Sequence, residues 1–221
     1  MWLWIALRLK ETLPKERRIP FSVKGFVDGF KEVVSNRITV GYTLCSGLFF
    51  GAFIGYLNSS RQIFQVQFDQ GELFIAYFGG LSLVLGFSSM VNSRIVEKFG
   101  PKLIAFYAIL TIAVLSLIFL ALHWVVDIRL WMFVIYASCL FFCFGLLFGN
   151  VNAMAMEPMG HVAGIASAVV GASSSILSMT IGTLIGQLYN NTLIPIAAGF
   201  FVLCLLALMI MFFVERGRIH S

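Results

Sequence analysis

Charge is what this sequence has least of. Only 11% of its 221 residues are Asp, Glu, Lys or Arg, against about 25% in an average soluble domain. So few charges cannot cover a surface in water, which excludes an ordinary soluble globule. Histidine is also scarce. His123, His161 and His220 sit at the ends of apolar runs or in the tail, and all ten carboxylates lie outside the span cores. No nucleophile–base pair can be placed at membrane depth, so a membrane-embedded enzyme is the weakest reading. Cysteine is limited to Cys45, Cys139, Cys143 and Cys204, all inside apolar runs. Cys139 and Cys143 have an i, i+4 spacing that a metal could use, but small apolar contacts are the simpler account. Neither a disulfide framework nor a zinc pattern is present, and no cofactor or metal is expected. The run Gly171-Ala172-Ser173-Ser174-Ser175 lacks the second glycine of a nucleophile elbow. Close helix packing explains it better.

What the chain does have is apolar length. Hydrophobic residues make up 60%, 23 residues are Phe, and the mean hydropathy is +0.95. A helix needs roughly 20 apolar residues to cross the hydrocarbon core. Charges and polar turns bound six such runs: 39–58, 73–93, 103–126, 130–156, 162–188 and 193–214. The last two are separated only by the turn signal Tyr189-Asn190-Asn191-Thr192. Barrel strands would alternate in short segments, and these runs are solidly apolar, so each is expected to be a helix. The fold class expected is an all-α membrane protein of six transmembrane helices. No cleavable signal peptide is expected, because Met1–Leu7 is too short an apolar run and its charges follow it.

Orientation follows from Lys and Arg. Thirteen of the fifteen fall on one side of the six spans, and only Arg61 and Arg129 on the other. This bias places both termini in the cytoplasm. It also accounts for the net charge of +5 through anionic lipid headgroups rather than nucleic acid. Before the first span, Val23, Phe26, Val27, Phe30, Val33 and Val34 recur at helical spacing. Lys24, Asp28, Lys31 and Glu32 lie mostly off that stripe. An amphipathic helix at the cytoplasmic interface is expected. A solvated linker helix is the alternative.

Small residues are the clearest pattern within the spans. Gly47, Gly51 and Gly55 recur every four residues. Gly145 with Gly149, Gly160 with Gly164, and Gly182 with Gly186 repeat the spacing. Such glycines let helix backbones approach closely. The loop between the second and third spans reads Asn92-Ser93-Arg94-Ile95-Val96-Glu97-Lys98-Phe99-Gly100-Pro101-Lys102. Gly100 permits a tight turn there, and Pro101 presets the start of the next helix.

That loop resembles the degenerate second copy of the major facilitator superfamily loop motif. Arg94, Glu97, Lys98, Gly100 and Lys102 carry the likeness, whereas Ser93 and Pro101 depart from the usual form. Leu9-Lys10-Glu11-Thr12-Leu13, Tyr56-Leu57-Asn58-Ser59-Ser60 and Gly71-Glu72-Leu73-Phe74 resemble the Bcr/CflA (bicyclomycin/chloramphenicol resistance) drug:proton antiporter branch. So do the run from Met156 to Ala168, with its Glu-Pro-x-Gly-His-x-Ala-Gly core, and Gly182–Gln187. The resemblance covers essentially the whole chain but only the second half of such a transporter. It implies a 3+3 inverted repeat, one half of the family fold. Residues 1–7 would end a truncated preceding helix, 8–37 would be the cytoplasmic linker, and 38–221 the six-helix bundle. It also implies multidrug efflux by proton antiport at a bacterial inner membrane. The partners implied are the lipid bilayer, a missing N-terminal six-helix half, a small amphipathic drug-like substrate and protons. Tyr42, Phe49, Tyr77, Tyr136, Phe144 and Ser173 become cavity candidates. With no acid inside a span, the proton-carrying carboxylate is expected elsewhere. An inactive fragment, or a six-span assembly or regulatory partner, remains the competing reading.

Overall fold

The computed structural model describes Arg8 and residues 23–218. The expected helix stub at 1–7 and the Leu9–Leu13 run lie outside the described residues. Every element among the described residues is helical. Helix α1 is Val23–Ser35. Helix α2, Arg37–Gln62, begins at Asn36, whose side chain accepts hydrogen bonds from the Ile38 and Thr39 amides at 3.0 and 3.1 Å. This cap satisfies two amides that the helix itself leaves open. A π-helical turn, Ile63–Gln67, closes α2, with the Phe68 amide bonded to the Ile63 carbonyl.

Two of the four apolar helical stretches are long enough to cross a membrane twice. The first, Phe74–His123, breaks at Gly100, where φ is 76° and ψ 155°. An L-residue is strained in that conformation, and Pro101 then starts the next helix. We call the limbs α3 (74–99) and α4 (101–123). Helix α5 is Leu130–Met156, and a 3-10 turn at Glu157–Val162 leads into α6, Ala163–Gln187. Helix α7 is Ile194–Arg218. Between α6 and α7, Asn191 takes a φ of 61°, a left-handed conformation that asparagine tolerates.

Side-chain partners show that both long stretches fold back. Ser88 of α3 donates to the Phe142 carbonyl of α5, and Ser116 of α4 bonds Tyr136 of the same helix at 2.8 Å. Along one straight helix Ser88 and Ser116 would be roughly 42 Å apart, yet their partners on α5 are only about 9 Å apart. Likewise, Phe148 of α5 and Leu177 of α6 both meet residues 47–50 of α2. The described residues therefore form six crossing helices, α2 to α7.

The packing repeats under exchange of the two three-helix units. In one unit α2 takes side chains of α6 against its glycines: Gly47 faces Leu177, Gly51 faces Ile181, and Gly55 faces Ile185. In the other, Gly145 of α5 takes Ser88 of α3. The first helix of each unit thus packs on the second helix of the other, as a 3+3 inverted repeat requires. The centre is aromatic. Phe53 meets Phe144 at 4.9 Å and Phe141 edge-on at 5.3 Å, and Phe144 meets Phe200 at 5.8 Å. In lipid, helix association rests on such contacts and on interhelical hydrogen bonds rather than on the hydrophobic effect.

One end of the bundle is basic. There Arg37 donates to the Phe213 carbonyl at 2.6 Å, and Lys102 pairs with Glu215. The Glu215 carboxylate also accepts from the buried Tyr42 hydroxyl at 2.6 Å. This cluster ties the start of α2, the start of α4 and the end of α7. Glu215, expected in a tail beyond the sixth span, is part of α7. At the same end Glu32 of α1 bonds His161 at 2.7 Å. Helix α1 docks by one edge only: Val33 is buried and Gly29 sits against Ile165. Phe26, Val27, Phe30 and Val34 remain exposed along the rest of its apolar stripe.

Candidate functional site

The exposed faces of the bundle differ in kind. Helices α4 and α7 expose large apolar side chains, among them Leu103, Phe106, Leu117, Val202, Leu206 and Phe212. Such faces suit lipid. The first turns of α6 instead expose small residues: Ala163, Gly164, Ser167, Ala168, Gly171, Ala172 and Ser175. Helix α3 exposes Ala76, Gly79, Gly80 and Gly86 among larger side chains. A Cβ on Gly79, Gly80, Gly86, Gly164 or Gly171 would meet nothing within 4 Å.

Beside the small-residue face of α6 lies a groove of about 370 Å³, formed by α2, α5 and α6. Its walls are Ser46, Phe50, Ile54, Phe148, Asn152, Gly171, Ser174, Ser175 and Ser178. Its position follows from the glycine seam. Gly51 and Gly182 bring the middle of α2 against the C-terminal part of α6, where a Cβ on Gly182 would stand 2.4 Å from Ile54 Cγ2 and 3.1 Å from the Gly51 carbonyl oxygen. Asn58 reinforces the seam by donating to the Gly182 carbonyl at 3.3 Å, and Gly186 lies against Asn58. The groove opens along one side of this contact. Its hydroxyls are partly engaged with their own helix: Ser174 donates to the Val170 carbonyl at 2.7 Å, and Ser178 to the Ser175 carbonyl at 3.0 Å. Each hydroxyl oxygen keeps acceptor capacity toward the groove. Phe50 and Phe148, with ring centroids 4.6 Å apart, form an aromatic wall. Hydroxyls and an amide beside two rings can hold an amphipathic molecule, with polar groups fixing its orientation.

The residues expected to line a cavity occupy other places. Tyr42, Phe49, Tyr136 and Phe144 are buried in the interior. Tyr42 holds Glu215, and Tyr136 stacks on Phe119 at 4.2 Å. Phe49 stacks behind Phe50 at 4.6 Å, and Phe144 adjoins Phe148 at 6.4 Å, so both back the groove wall. Tyr77 is half-buried and stacks on Phe64 at 5.3 Å, outside the groove. Ser173 lines a smaller crevice of about 210 Å³ between α1, α2 and α6. The groove is reached by the neighbours of several of these residues: Phe50, Phe148, Ser174 and Ser175. Ser46 and Asn152 carried no separate signal in sequence beyond being polar residues inside apolar runs.

Of the glycines expected to pack, Gly47, Gly51, Gly55, Gly182 and Gly186 all meet a facing helix, and Gly145 does so too. Gly149, Gly160 and Gly164 do not, because nothing lies within 4 Å of a Cβ placed there. In the loop motif, Gly100 makes the turn, and Arg94, Glu97, Lys98 and Lys102 are exposed at the basic end. Lys98 lies over the Phe99 ring at 5.3 Å. At the opposite end, burial pushes the Tyr189 phenol above its ordinary range. No three His, Cys, Asp or Glu residues among the described ones come together as a metal site.

Six crossing helices in two exchanged units, with a polar groove on one side, place the described residues among the multi-pass α-helical membrane proteins. Sequence comparison makes the family plain: this chain belongs to the Major Facilitator Superfamily, whose model matches residues 1–183. One relative is an uncharacterized MFS-type transporter, YdgK, of Bacillus subtilis (strain 168). It is 29% identical over 224 residues, which cover 98% of this chain and 54% of that protein. Another is a bicyclomycin resistance protein homolog of Haemophilus influenzae, 23% identical over 218 residues, 96% of this chain and 54% of that protein. This chain therefore spans about half the length of the curated relatives it matches. No solved structure matches it significantly.

Proposed function

We propose that this chain is the C-terminal bundle of a drug exporter that moves small amphipathic molecules outward against proton entry. The observation that carries the reading is the groove lined by four serines and Asn152, beside a face of small residues. Ser46, Asn152, Ser174, Ser175 and Ser178 offer hydrogen bonds to a substrate, and Phe50 and Phe148 offer rings. Phe49 and Phe144 support those rings from behind. A second six-helix bundle lies against the small-residue faces of α6 and α3, and the two rock about the groove in alternating access. The match to about half the length of two relatives, an MFS-type transporter and a bicyclomycin resistance protein homolog, supports this. The basic end faces the cytoplasm of a bacterial inner membrane by the positive-inside rule.

Proton coupling belongs to the second bundle in this reading. Among the described residues, every carboxylate lies in helix α1 outside the six crossing helices, within a few residues of a helix end, or in a turn or loop. A membrane-buried acid is the usual proton carrier and is kept for that purpose despite its cost. The test is drug efflux from cells that express this chain with, and without, a separately encoded first half. Export is expected only when both are present, and Ser175→Trp should abolish it without lowering the amount of protein in the membrane. Export by this chain alone, driven by a proton gradient, would overturn the assignment of coupling to the other half. No export with both present would favour an inert fragment or an assembly partner.

A further inference from the structure

Two apolar grooves run down the outer face of α4, away from the serine groove. One, of about 360 Å³, lies between α4 and α7, with Phe106 and Phe212 in its walls. The other, of about 410 Å³, lies between α4 and α5, with Tyr107 and Phe142 in its walls. Phe99 and Leu103 belong to both. The grooves therefore meet at the basic end, at the turn made by Gly100. Above that meeting point stand Lys98, over the Phe99 ring, and Lys102, whose side chain is 56% exposed although it pairs with Glu215. Arg94 is one helical turn before Lys98, and Arg216 follows Glu215; both are exposed. Glu97 is the other acid nearby and is exposed. Glu215 is turned inward, between Lys102 and the buried Tyr42 hydroxyl. Four basic residues against two acids leave a net positive mouth over a forked apolar slot.

We propose that this face holds one anionic phospholipid, its phosphate at Arg94, Lys98 and Lys102 and its two acyl chains in the two grooves. The fork matches two chains leaving one headgroup, and the net positive charge selects an anionic headgroup over a zwitterionic one. Basic pockets between helices at the membrane surface bind such headgroups for this reason. The inference is independent of the serine groove and of what that groove carries.

The test is native mass spectrometry of the purified full-length chain. It is presented with equal amounts of phosphatidylglycerol, phosphatidylethanolamine and phosphatidylcholine bearing the same acyl chains. The first adduct is expected to be enriched in phosphatidylglycerol. Each basic residue near the headgroup contributes roughly fivefold. The surface double variant Arg94→Gln/Lys98→Gln should therefore reduce that enrichment by an order of magnitude or more, whereas Arg61→Gln at the opposite end leaves it intact. Leu103→Trp, filling the fork, should weaken the first adduct of all three lipids and keep their ratio. An unchanged phosphatidylglycerol enrichment in the double variant would overturn the proposal, as would equal binding of the three lipids by the parent chain. A dimer whose formation excludes lipid would assign the face to a second copy and overturn it too.

Discussion

Gly182→Ala adds one methyl group at the tightest point of the α2–α6 seam. The new Cβ would stand 2.4 Å from Ile54 Cγ2, 2.6 Å from Ile54 Cβ and 3.1 Å from the Gly51 carbonyl oxygen. Two of these neighbours, a Cβ and a backbone oxygen, cannot be moved by a rotamer change, so the helices must separate. Carbon contacts are comfortable at about 3.5–4.0 Å, and a radial gap of about 0.5–1 Å forfeits a quarter to a half of each contact's energy. At about 0.1–0.2 kcal/mol per atom pair, a seam of some tens of pairs loses about 1–3 kcal/mol, the usual range for overpacking. Alanine recovers up to about 1 kcal/mol through its better helix propensity. The net expectation is a destabilisation of about 1–2 kcal/mol. Gly86→Ala on α3 isolates the propensity effect, because nothing lies within 4 Å of its Cβ. It should be neutral or stabilising by up to about 1 kcal/mol. Both variants are measured as purified chain, by far-UV circular dichroism during unfolding in mixed SDS micelles. Equal stability of the two variants would refute the seam as a tight contact.

Further substitutions probe the basic end. Gly41→Ala would place a Cβ 2.2 Å from Val214 Cγ2 but 3.5 Å from Val214 Cβ. A double-mutant cycle with Val214→Ala should therefore show a favourable coupling of about 1–3 kcal/mol. Gly100→Ala forces alanine to a φ of 76° and should cost about 1–3 kcal/mol, read by the same unfolding assay. Tyr42→Phe removes the hydroxyl that Glu215 accepts from, a bond to a charged group worth about 1.5–3 kcal/mol. Lys102→Met should cost less, at most about 1 kcal/mol, because its side chain is largely in solvent. A larger loss for Lys102→Met than for Tyr42→Phe would contradict the buried hydroxyl as the main support of Glu215.

Helix positions are legible in this sequence because lipid imposes a simple rule: a long uncharged run must satisfy its backbone as helix. The interval 130–156 expected for the fourth span matches α5, Leu130–Met156. Where a charge is paired within the protein, helix bounds shift. The sixth span is expected to end at 214, whereas helix α7 runs on through Arg218, with Glu215 paired to Lys102. The rotation of each helix about its axis is not legible. An apolar run without amphipathic contrast gives no reason to prefer Phe50 over Phe49 as the groove residue, yet a step of one residue turns the side chain by about 100°. That step separates Ser173, in its own crevice, from Ser174 in the groove. Glycine spacing had the same limit. It marks where close approach is possible, and Gly149 shows that a facing helix must also be there.

The seam between residues 47–55 and 177–186 has a consequence for the order of biosynthesis. Helix α2 leaves the ribosome about 130 residues before its principal partner, which at about 5–20 residues per second is a wait of roughly 10 seconds. Meanwhile Gly47, Gly51 and Gly55 present a groove-faced helix to the insertion machinery and to lipid with nothing to fill it. The first three helices cannot close a stable unit by themselves, since the first helix of each unit packs on the second of the other. Assembly is thus a late event, decided when α6 arrives. Mutations in α6 should for that reason act on the yield of inserted protein before they act on anything it carries.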